Sequence, residues 1–359
     1  MSERFARWEA RLGEVRAAGR WRAVTPVTPT GPVTARVDGR EVIVACSNDY
    51  LGLAFDLRVP ATGGGAGASR LIGGSRPAHH ALESALEEIF GRPALTFSSG
   101  WAANLAVLST VCEPGDLIAS DELNHASIID GLRLSRAERR VVAHADPTAV
   151  PPDARLSVVE GLFSMDGDVP PLDRWPRTPW LCVDEAHAVG CLGPSGRGIA
   201  AMQGVEPDIL VGTFGKAYGA AGAFVVGPPA LKDLLINAGR SFIFTTAVPE
   251  VVAQIALAGL RAADDERRER LAWNVTYFRS ALRQIGWAPL GDHHIVPIVV
   301  GPAVMDWSRR LLDRGIFVPG IRWPTVARGS ERLRFTLSAA HERHHLDRIL
   351  DALGPPPSA

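Results

Sequence analysis

The amino-acid sequence predicts an α/β protein with a large, mostly parallel sheet, followed by a smaller α+β domain. From about residue 46 to residue 245, short apolar runs alternate with helical segments, as in sheets that are buried on both faces. After Pro249 the pattern changes to longer helical stretches separated by isolated strands. The length of 359 residues exceeds the size at which a single core stops growing, so two domains are expected.

The N-terminal segment, residues 1–45, is predicted to hold one amphipathic helix and one strand. Its apolar residues recur at helical spacing, namely Phe5, Trp8, Leu12 and Val15. Three prolines then interrupt the chain before a short strand near residues 41–46.

Strand-like apolar runs divide the large domain, residues 46–248, into repeated strand and helix units. Seven strands are predicted, at residues 94–97, 117–120, 140–143, 156–160, 180–184, 209–213 and 223–226. The C-terminal domain, residues 249–359, is predicted to contain a long helix, two strands and two further helices. These elements lie at 251–284, 295–300, 304–314, 332–337 and 346–353.

Composition and charge argue against several classes of function. The formal net charge is −1 and no long basic run occurs, so a nucleic-acid or membrane-surface role is not expected. No apolar run has the length of a membrane span, and the N-terminus lacks the apolar segment of a secretory signal. The four cysteines form no CxxC pair, which favours free thiols in a reducing compartment. A cytoplasmic enzyme without a bound metal is therefore expected.

Two charged residues follow predicted strands at the edge where ligands bind. Asp184 ends the strand at 180–184, with His187 three residues later, and open α/β sheets bind ligands beyond the carboxyl ends of their strands. Lys216 lies among glycines just past the strand at 209–213. A partly desolvated lysine has a free amine for Schiff-base chemistry. Taken alone, Asp184 is as well explained by an ordinary loop carboxylate, and Lys216 by a solvated surface lysine.

A third element lies where a strand passes through a turn of Ser98, Ser99 and Gly100 into a helix. This arrangement directs free backbone N–H groups toward the crevice, and a helix N-terminus binds phosphate. Alone it would be an ordinary helix cap. A phosphate cradle, an acid and a lysine, in this order along the chain, are together what a pyridoxal 5'-phosphate site needs.

At these motifs the sequence resembles the α-oxoamine synthases, a family of pyridoxal-phosphate enzymes with the fold type I (aspartate aminotransferase-like) architecture. The resemblance covers nearly the whole chain. It is carried by residues 46–53 (CSNDYLGL), 69–74 (SRLIGG), 99–104 (SGWAAN), 124–127 (NHAS), 160–168 (EGLFSMDGD), 184–187 (DEAH), 213–216 (TFGK) and 332–341 (RLRFTLSAAH).

The resemblance implies that Lys216 carries the cofactor and removes the α-proton of an amino acid. It also implies that Asp184 pairs with the ring nitrogen, that His187 bonds the phenolate oxygen and that His125 stacks on the ring. The remaining cofactor contacts that it implies are Ser99, Gly100, Trp101, Thr213 and Ser164, with Thr245 or Thr246 supplied by the partner subunit of a homodimer that shares its active site.

The family resemblance also implies a substrate site. Arg334 resembles the arginine that grips the substrate carboxylate, a task suited to its bidentate guanidinium, although an ordinary salt bridge is the alternative. Asn48, Ser69 and Arg322 are weaker candidates. The implied reaction is a decarboxylative condensation of an amino acid with an acyl thioester.

Two local features bear on the substrates. Ser69 and residues 321–326 resemble the members that use alanine in biotin biosynthesis, which suggests L-alanine and a pimeloyl thioester of coenzyme A or acyl carrier protein. Glycine or serine with another acyl-CoA remains an alternative, because one methyl group discriminates these amino acids by only ~1–3 kcal/mol. The segment at 54–64 is shorter than in typical members, which leaves the acyl specificity open.

A remote alternative of another class comes from residues 341–345, which spell HExxH. A zinc hydrolase would need both histidines on a helix together with a third ligand. The motif lies at the start of the last predicted helix, and His293 and His294 are the only third ligands that the sequence suggests.

Overall fold

The computed structural model describes residues 3–60, 63–176 and 178–357, so Ala61 and Thr62 of the shortened 54–64 segment lie outside the described residues. The chain begins with helix α1 (Ala6–Ala17) and then forms three antiparallel strands, β1 (Val27–Pro29), β2 (Thr34–Val37) and β3 (Arg40–Val44). The helix has the predicted position, but none of its residues is buried.

The large domain is built on a seven-stranded sheet. Its strands are β4 (Ala94–Phe97), β5 (Leu117–Asp121), β6 (Glu138–Val142), β7 (Leu156–Glu160), β8 (Trp180–Asp184), β9 (Ile209–Thr213) and β10 (Ala223–Val226). They lie in the order β4-β10-β9-β8-β7-β5-β6, and β10 alone runs antiparallel to its two neighbours. All seven predicted strands form, and the mostly parallel sheet confirms the predicted fold class.

Helices cover both faces of this sheet. They are α2 (Pro77–Phe90), α3 (Gly100–Leu108), α4 (Ala126–Leu134), α5 (Ile199–Met202), α6 (Pro229–Ala238) and α7 (Arg240–Ile243). Strands β4, β5, β7, β9 and β10 are buried throughout, because apolar side chains pack against helices on either side. No helix in the described ranges is long and apolar enough to cross a membrane.

The C-terminal part combines four helices with a three-stranded sheet. Its elements are α8 (Glu250–Ala262), α9 (Asp265–Gln284), β11 (Ile295–Val299), α10 (Val304–Asp313), β12 (Ile316–Phe317), β13 (Gly320–Ile321), β14 (Arg332–Thr336) and α11 (Arg343–Leu353). Strand β12 pairs with β3, so the N-terminal strands join this part of the molecule. The boundaries at residues 45 and 248 stay a prediction.

The single long helix predicted over residues 251–284 is wrong in one respect, because the chain forms two helices there. Ala263 leaves the helical conformation, and Asp264 begins α9 with an extended backbone. The Asp264 side chain accepts a hydrogen bond from the Arg267 N–H at 2.9 Å. Such an N-cap starts a new helix, and an uninterrupted helical pattern of apolar residues does not reveal it.

Candidate active site

The candidate site lies at the carboxyl ends of three parallel strands. Glu160 ends β7, Asp184 ends β8 and Thr213 ends β9. Glu160 and Asp184 are register partners on adjacent strands. The N-termini of α3 and α4 reach the same edge, which is where ligands bind in sheets of this kind.

Asp184 is held in one orientation by two hydrogen bonds. Its Oδ2 accepts from the Asn104 amide at 2.8 Å, and its Oδ1 accepts from the Ala186 N–H at 2.9 Å. The same Asn104 nitrogen donates to the Ser127 hydroxyl at 2.9 Å. All of these side chains are buried, so the carboxylate is fixed and largely withdrawn from water.

Lys216 lies in the turn after β9, close enough to the two carboxyl groups for their charges to act on it. Burial lowers its pKa to about 8, and the charges of Asp184 and Glu160 partly oppose that shift. Glu160 is affected in the opposite direction, because burial and the charge of Asp184 raise its pKa to about 8. The Glu160 Oε1 atom has no hydrogen-bond partner among the described residues. The crevice therefore holds an amine that is readily deprotonated beside a carboxyl group that is readily protonated.

His125 forms the N-cap of α4 on the same crevice. Its Nδ1 lies 2.8 Å from the Ser127 hydroxyl, and its ring meets the Trp101 ring edge to face at 6.1 Å. Burial lowers the pKa of His125 and the charge of Lys216 lowers it further, while Asp184 acts in the other direction. His125 is therefore a neutral aromatic ring near both charged groups.

The start of α3 presents backbone N–H groups to the crevice. Ser99 caps this helix, and its hydroxyl accepts from the Ala102 N–H at 3.1 Å. Gly100 and Trp101 follow as the first two helical residues, and no intrahelical acceptor exists for N–H groups at these positions. A Cβ on Gly100 would meet no atom within 4 Å, so open space lies beside Gly100 at the start of the helix.

Thr213 is placed beside this helix end, but its hydroxyl is already engaged. It donates to the Gly222 carbonyl at 2.9 Å and accepts from the Gly215 N–H at 3.1 Å. A contact from this hydroxyl hydrogen to a phosphate would require the side chain to rotate.

His187 lies on the opposite side of the crevice in a buried aromatic cluster. Its Nδ1 is 2.7 Å from the Tyr50 hydroxyl, and the Tyr50 ring packs on the His294 ring at 4.1 Å. Burial lowers the pKa of His187 well below its usual value, and the charges of Lys216 and Arg334 add to this effect. The Tyr50 hydroxyl donates its one hydrogen to the Asn48 side-chain oxygen at 3.1 Å, which leaves the His187 ring to donate from Nδ1 to the Tyr50 oxygen.

Arg334 reaches the crevice from β14. Its guanidinium donates to the Ser164 carbonyl and, at 3.3 and 3.4 Å, to the Asn48 side-chain oxygen. The structure thus brings Arg334, Asn48 and Ser164 together. The neighbouring Arg332, two residues earlier on the same strand, donates to the Asp166 carboxylate at 2.6 Å.

Other candidate residues lie farther from this group. Arg322 donates to the Trp21 carbonyl at 2.9 Å, so it contacts the N-terminal segment. Thr245 and Thr246 line a small cavity with Arg70, Ser98 and Phe242. Ser69 caps a short π-helical segment, Arg70–Gly74, through its backbone.

The HExxH motif does not form the arrangement that zinc chemistry needs. Helix α11 begins only at Arg343, so His341 precedes it. The His341 ring contacts the Ser338 N–H and the Val44 carbonyl, and His345 accepts from the Glu342 N–H. In the ranges that the structure covers, no group of three His, Cys, Asp or Glu side chains could hold a metal ion.

Three residues of the site did not follow from the sequence as individual candidates, namely Asn104, Tyr50 and Glu160. Each lies inside a motif that the sequence singled out. Their roles depend on partners that are distant in the chain, since 80 residues separate Asn104 from Asp184 and 137 separate Tyr50 from His187. The one local signal is a polar side chain within an apolar strand or helix, as at Glu160.

These residues fit pyridoxal phosphate. Gly100 and Trp101 offer the free N–H groups of a helix start, with open space beside Gly100, which suits a phosphate. Asp184 is a fixed acceptor in a buried position. Lys216 has the depressed pKa that Schiff-base chemistry requires.

Comparisons with known proteins agree with this geometry. Residues 40–353 match the family described as aminotransferase class I and II. The chain is similar to the 8-amino-7-oxononanoate synthase of Methylococcus capsulatus, with 44% identity over 376 residues, 95% of this chain and 96% of that protein. The same enzyme of Halorhodospira halophila is 43% identical over 379 residues, which cover 97% and 94% of the two chains.

Two solved structures have the same architecture. Serine palmitoyltransferase from Sphingomonas wittichii matches with a TM-score of 0.89 and 30% identity, covering 98% of this chain and 96% of that one. An 8-amino-7-oxononanoate synthase from Francisella tularensis matches with a TM-score of 0.75 and 28% identity, covering 87% and 96%.

Proposed function

Because the chain belongs to the α-oxoamine synthases, pyridoxal-phosphate-dependent acyltransferases of fold type I, we propose that it condenses L-alanine with a pimeloyl thioester to give 8-amino-7-oxononanoate in biotin biosynthesis. The observation that carries this proposal is the joint position of Lys216, Asp184 and Arg334 in one crevice. There the electrostatic fields of Asp184 and Arg334 both act on the buried lysine amine.

The residues that hold the cofactor follow from the donors and acceptors of the site. Gly100 and Trp101 would bind its phosphate through backbone N–H groups, with Ser99 shaping the turn. Asp184 would accept a hydrogen bond from the ring nitrogen and keep that nitrogen protonated. The cofactor supplies an electron-accepting ring that stabilises negative charge at the carbon next to the amine.

Lys216 would hold the cofactor through its amine, and the same amine would take the proton from the Cα of the amino acid. Its pKa of about 8 permits both tasks near neutral pH, because a useful fraction of the amine is unprotonated. His125 would stack on the cofactor ring and restrict the approach of the amino acid. Burial keeps His125 neutral, so it does not compete with Lys216 for the proton.

Arg334 binds the carboxylate of the amino acid. Its guanidinium is oriented by Ser164 and Asn48, and a planar fork matches a carboxylate in a bidentate manner. The same carboxylate is later lost as carbon dioxide, after the new carbon–carbon bond to the thioester carbonyl has formed and the carrier thiol has left. His187, whose ring is held in place by the Tyr50 hydroxyl, would lie beside the phenolate oxygen of the cofactor.

We include a homodimer in the proposal, with Thr245 or Thr246 completing the partner's phosphate site. Leu71, Ile72 and Phe244 support a subunit contact next to these threonines, because they are large apolar side chains exposed in the single chain.

The choice of alanine rests on the relatives that are 41–44% identical and carry the name 8-amino-7-oxononanoate synthase. A serine-using enzyme is the alternative, supported by the similarity to serine palmitoyltransferase at 30% identity. The two amino acids differ by one hydroxyl group, which a site without a matching partner distinguishes by only about 100-fold.

Thiol release by the cofactor-loaded enzyme tests the proposal. Parallel reactions contain L-alanine with pimeloyl-CoA, L-alanine with pimeloyl-acyl carrier protein, L-serine with palmitoyl-CoA, and glycine with acetyl-CoA. We expect release only with pimeloyl thioesters and alanine, and mass spectrometry should identify the 8-amino-7-oxononanoate product. Release confined to the serine or glycine reaction would contradict the product assignment. The Lys216→Ala variant is the control, since it should retain no cofactor that borohydride can trap.

A further inference from the structure

His144 lies outside the crevice, directly after β6, and is bonded at both ring nitrogens. Nδ1 is 3.0 Å from the Asp121 Oδ1 atom, and Nε2 is 2.8 Å from the Asp168 Oδ2 atom. The Asp121 side chain is fully buried, and the His144 side chain is 23% exposed. The histidine therefore forms a bridge between two carboxylates, largely shielded from water.

The geometry decides the charge of this histidine. Asp121 also accepts from the Leu123 N–H at 2.8 Å and from the Ala145 N–H at 2.7 Å, so both of its oxygens act as acceptors. A carboxylate cannot donate a hydrogen to the ring. With Asp168 also ionised, both ring nitrogens carry hydrogen and His144 is an imidazolium, in line with a pKa that, against the effect of burial, the bonds to the two carboxylates raise to about 10. The backbone N–H of His144 faces a third acidic residue, Glu122, at 3.0 Å.

At one end of the bridge, Asp121 is connected through a turn of the backbone to His125. Asp121 ends β5, and its backbone carbonyl accepts from the Asn124 N–H at 3.2 Å. Together with the Leu123 contact, this bond shapes the turn that immediately precedes His125 at the start of α4. A shift of Asp121 would therefore move the N-cap that places the His125 ring over the crevice.

At the other end, Asp168 is connected through Phe163 to the loop that carries Ser164. The Phe163 N–H donates to the Asp168 carbonyl at 3.0 Å, and the Phe163 ring meets the His144 ring edge to face at 4.4 Å. The loop closed by these contacts has Ser164, Met165 and Asp166 at its tip. Arg334 and Arg332 bind that tip from the C-terminal side.

We propose that His144 is a positioning residue, whose imidazolium ties the turn before His125 to the loop that carries Ser164 and thereby fixes the orientation of Arg334. The inference rests on the proposed function of Arg334. When the bridge is lost, the loop keeps its own backbone bonds from Phe163 to Asp168 and from Gly167 to Phe163, but it loses its tie to the end of β5, so the backbone acceptor of Arg334 is held less firmly. Binding of the amino acid should weaken more than the chemical step slows.

Nuclear magnetic resonance of enzyme labelled with ¹⁵N-histidine tests the charge directly. We expect one imidazole with both nitrogens protonated at about pH 8, where an ordinary histidine is neutral, and this signal should be missing in His144→Gln. A His144 that is neutral near pH 8 would overturn the proposal. This measurement needs no turnover, so its outcome is independent of which substrates the enzyme uses.

Kinetics of His144→Gln and Asp168→Asn test the positioning role. We expect the KM for the amino acid to rise about tenfold in each variant with kcat changed less, because a hydrogen bond between charged groups is lost. The double variant should show no further loss, since both residues act in one bridge. His341→Gln is the matched control, as it removes another buried histidine that contacts only backbone groups.

Three further results distinguish the positioning role of His144 from the proposed function of the enzyme. Equal losses in KM for His144→Gln and His341→Gln would mean a general structural effect and would refute positioning. If His144→Gln fails to fold, the KM of Asp168→Asn alone tests the positioning role, because asparagine keeps the shape of the loop and removes one charge. An inactive wild-type enzyme with a doubly protonated His144 would refute the proposed function while leaving the bridge itself intact.

Discussion

The Glu160→Gln substitution should stabilise the cofactor-free protein at alkaline pH and leave its stability unchanged in acid. Glu160 is 3% exposed, and its Oε1 has no hydrogen-bond partner among the described residues. Burial and the charge of Asp184 raise its pKa from 4.5 to about 8. Glutamine has nearly the same shape and no charge, and its amide oxygen can still accept the bond from the His125 backbone N–H, so the substitution mainly removes the titration.

The direction of the pH dependence follows from the number of protons that Glu160 binds in the folded and unfolded states. Between pH 4.5 and about pH 8 the folded state holds a proton on Glu160 that the unfolded state has released. The stability of the wild-type protein therefore falls as the pH rises through this range. Each pH unit corresponds to about 1.4 kcal/mol, so the full range gives an upper limit of about 5 kcal/mol. The Glu160→Gln variant does not lose this stability, so its free energy of unfolding should exceed that of the wild type by an amount that grows with pH.

Urea unfolding of the two proteins at about pH 5, 7 and 8.5 measures the difference. Glu185→Gln is the comparison variant, because burial also raises the pKa of Glu185, to about 7, but both of its oxygens accept backbone N–H bonds, from Ile199 and Ala200. That variant places an amide NH₂ against one of these donors, so it should be less stable than the wild type at pH 5, where Glu160→Gln should have no effect, and should regain part of the loss as the pH rises. A constant difference between wild type and Glu160→Gln at all three pH values would refute the reasoning, since it would mean that Glu160 does not titrate in this range.

Three further substitutions test individual contacts. Asn104→Ala removes the donor to Asp184, so cofactor affinity should fall about 10- to 100-fold, measured by absorbance titration with pyridoxal phosphate. Arg334→Lys keeps the charge but loses the fork, so the KM for the amino acid should rise about 10- to 100-fold in the thiol-release assay, and an unchanged KM would exclude carboxylate binding there. Gly212→Ala would place a Cβ 2.3 Å from the Phe224 ring, so thermal unfolding should report a loss of about 1–3 kcal/mol with little change in KM.

The sequence was most informative where a signal is local. All seven strands of the large sheet were predicted within about two residues, because each is a short apolar run bounded by turn residues. Asp184 and Lys216 were placed correctly at strand ends for the same reason, and parallel strands bring their ends to one edge. The break at Ala263 was missed, since the helical pattern continues across it and only the side-chain cap of Asp264 marks the new start.

Contacts between distant parts of the chain could not be predicted in this way. Arg334 meets the Ser164 carbonyl across 170 residues, and Arg322 turns toward Trp21 across 301. The two arginines look alike in sequence, as each is a cation near the end of the C-terminal domain. Their destinations differ because β14 directs Arg334 inward, where it is buried, whereas Arg322 follows the two-residue strand β13 and stays partly exposed. Direction along a strand depends on register, which one sequence does not specify.

Helix α1 shows that an amphipathic pattern predicts a helix but does not predict what covers its apolar face. Its spacing of apolar residues correctly predicts a helix, yet Phe5, Trp8 and Leu12 are 41%, 65% and 43% exposed. Periodicity indicates that one face of a helix favours an apolar environment, but it carries no information on which surface provides it. The apolar side chains beside Thr245 and Thr246 are exposed in the same way. A proposed subunit contact would account for the patch next to the cofactor site. In α1 the same apolar periodicity that marks buried faces in α2 and α11 leaves no residue buried, so periodicity predicts the helix but not its burial.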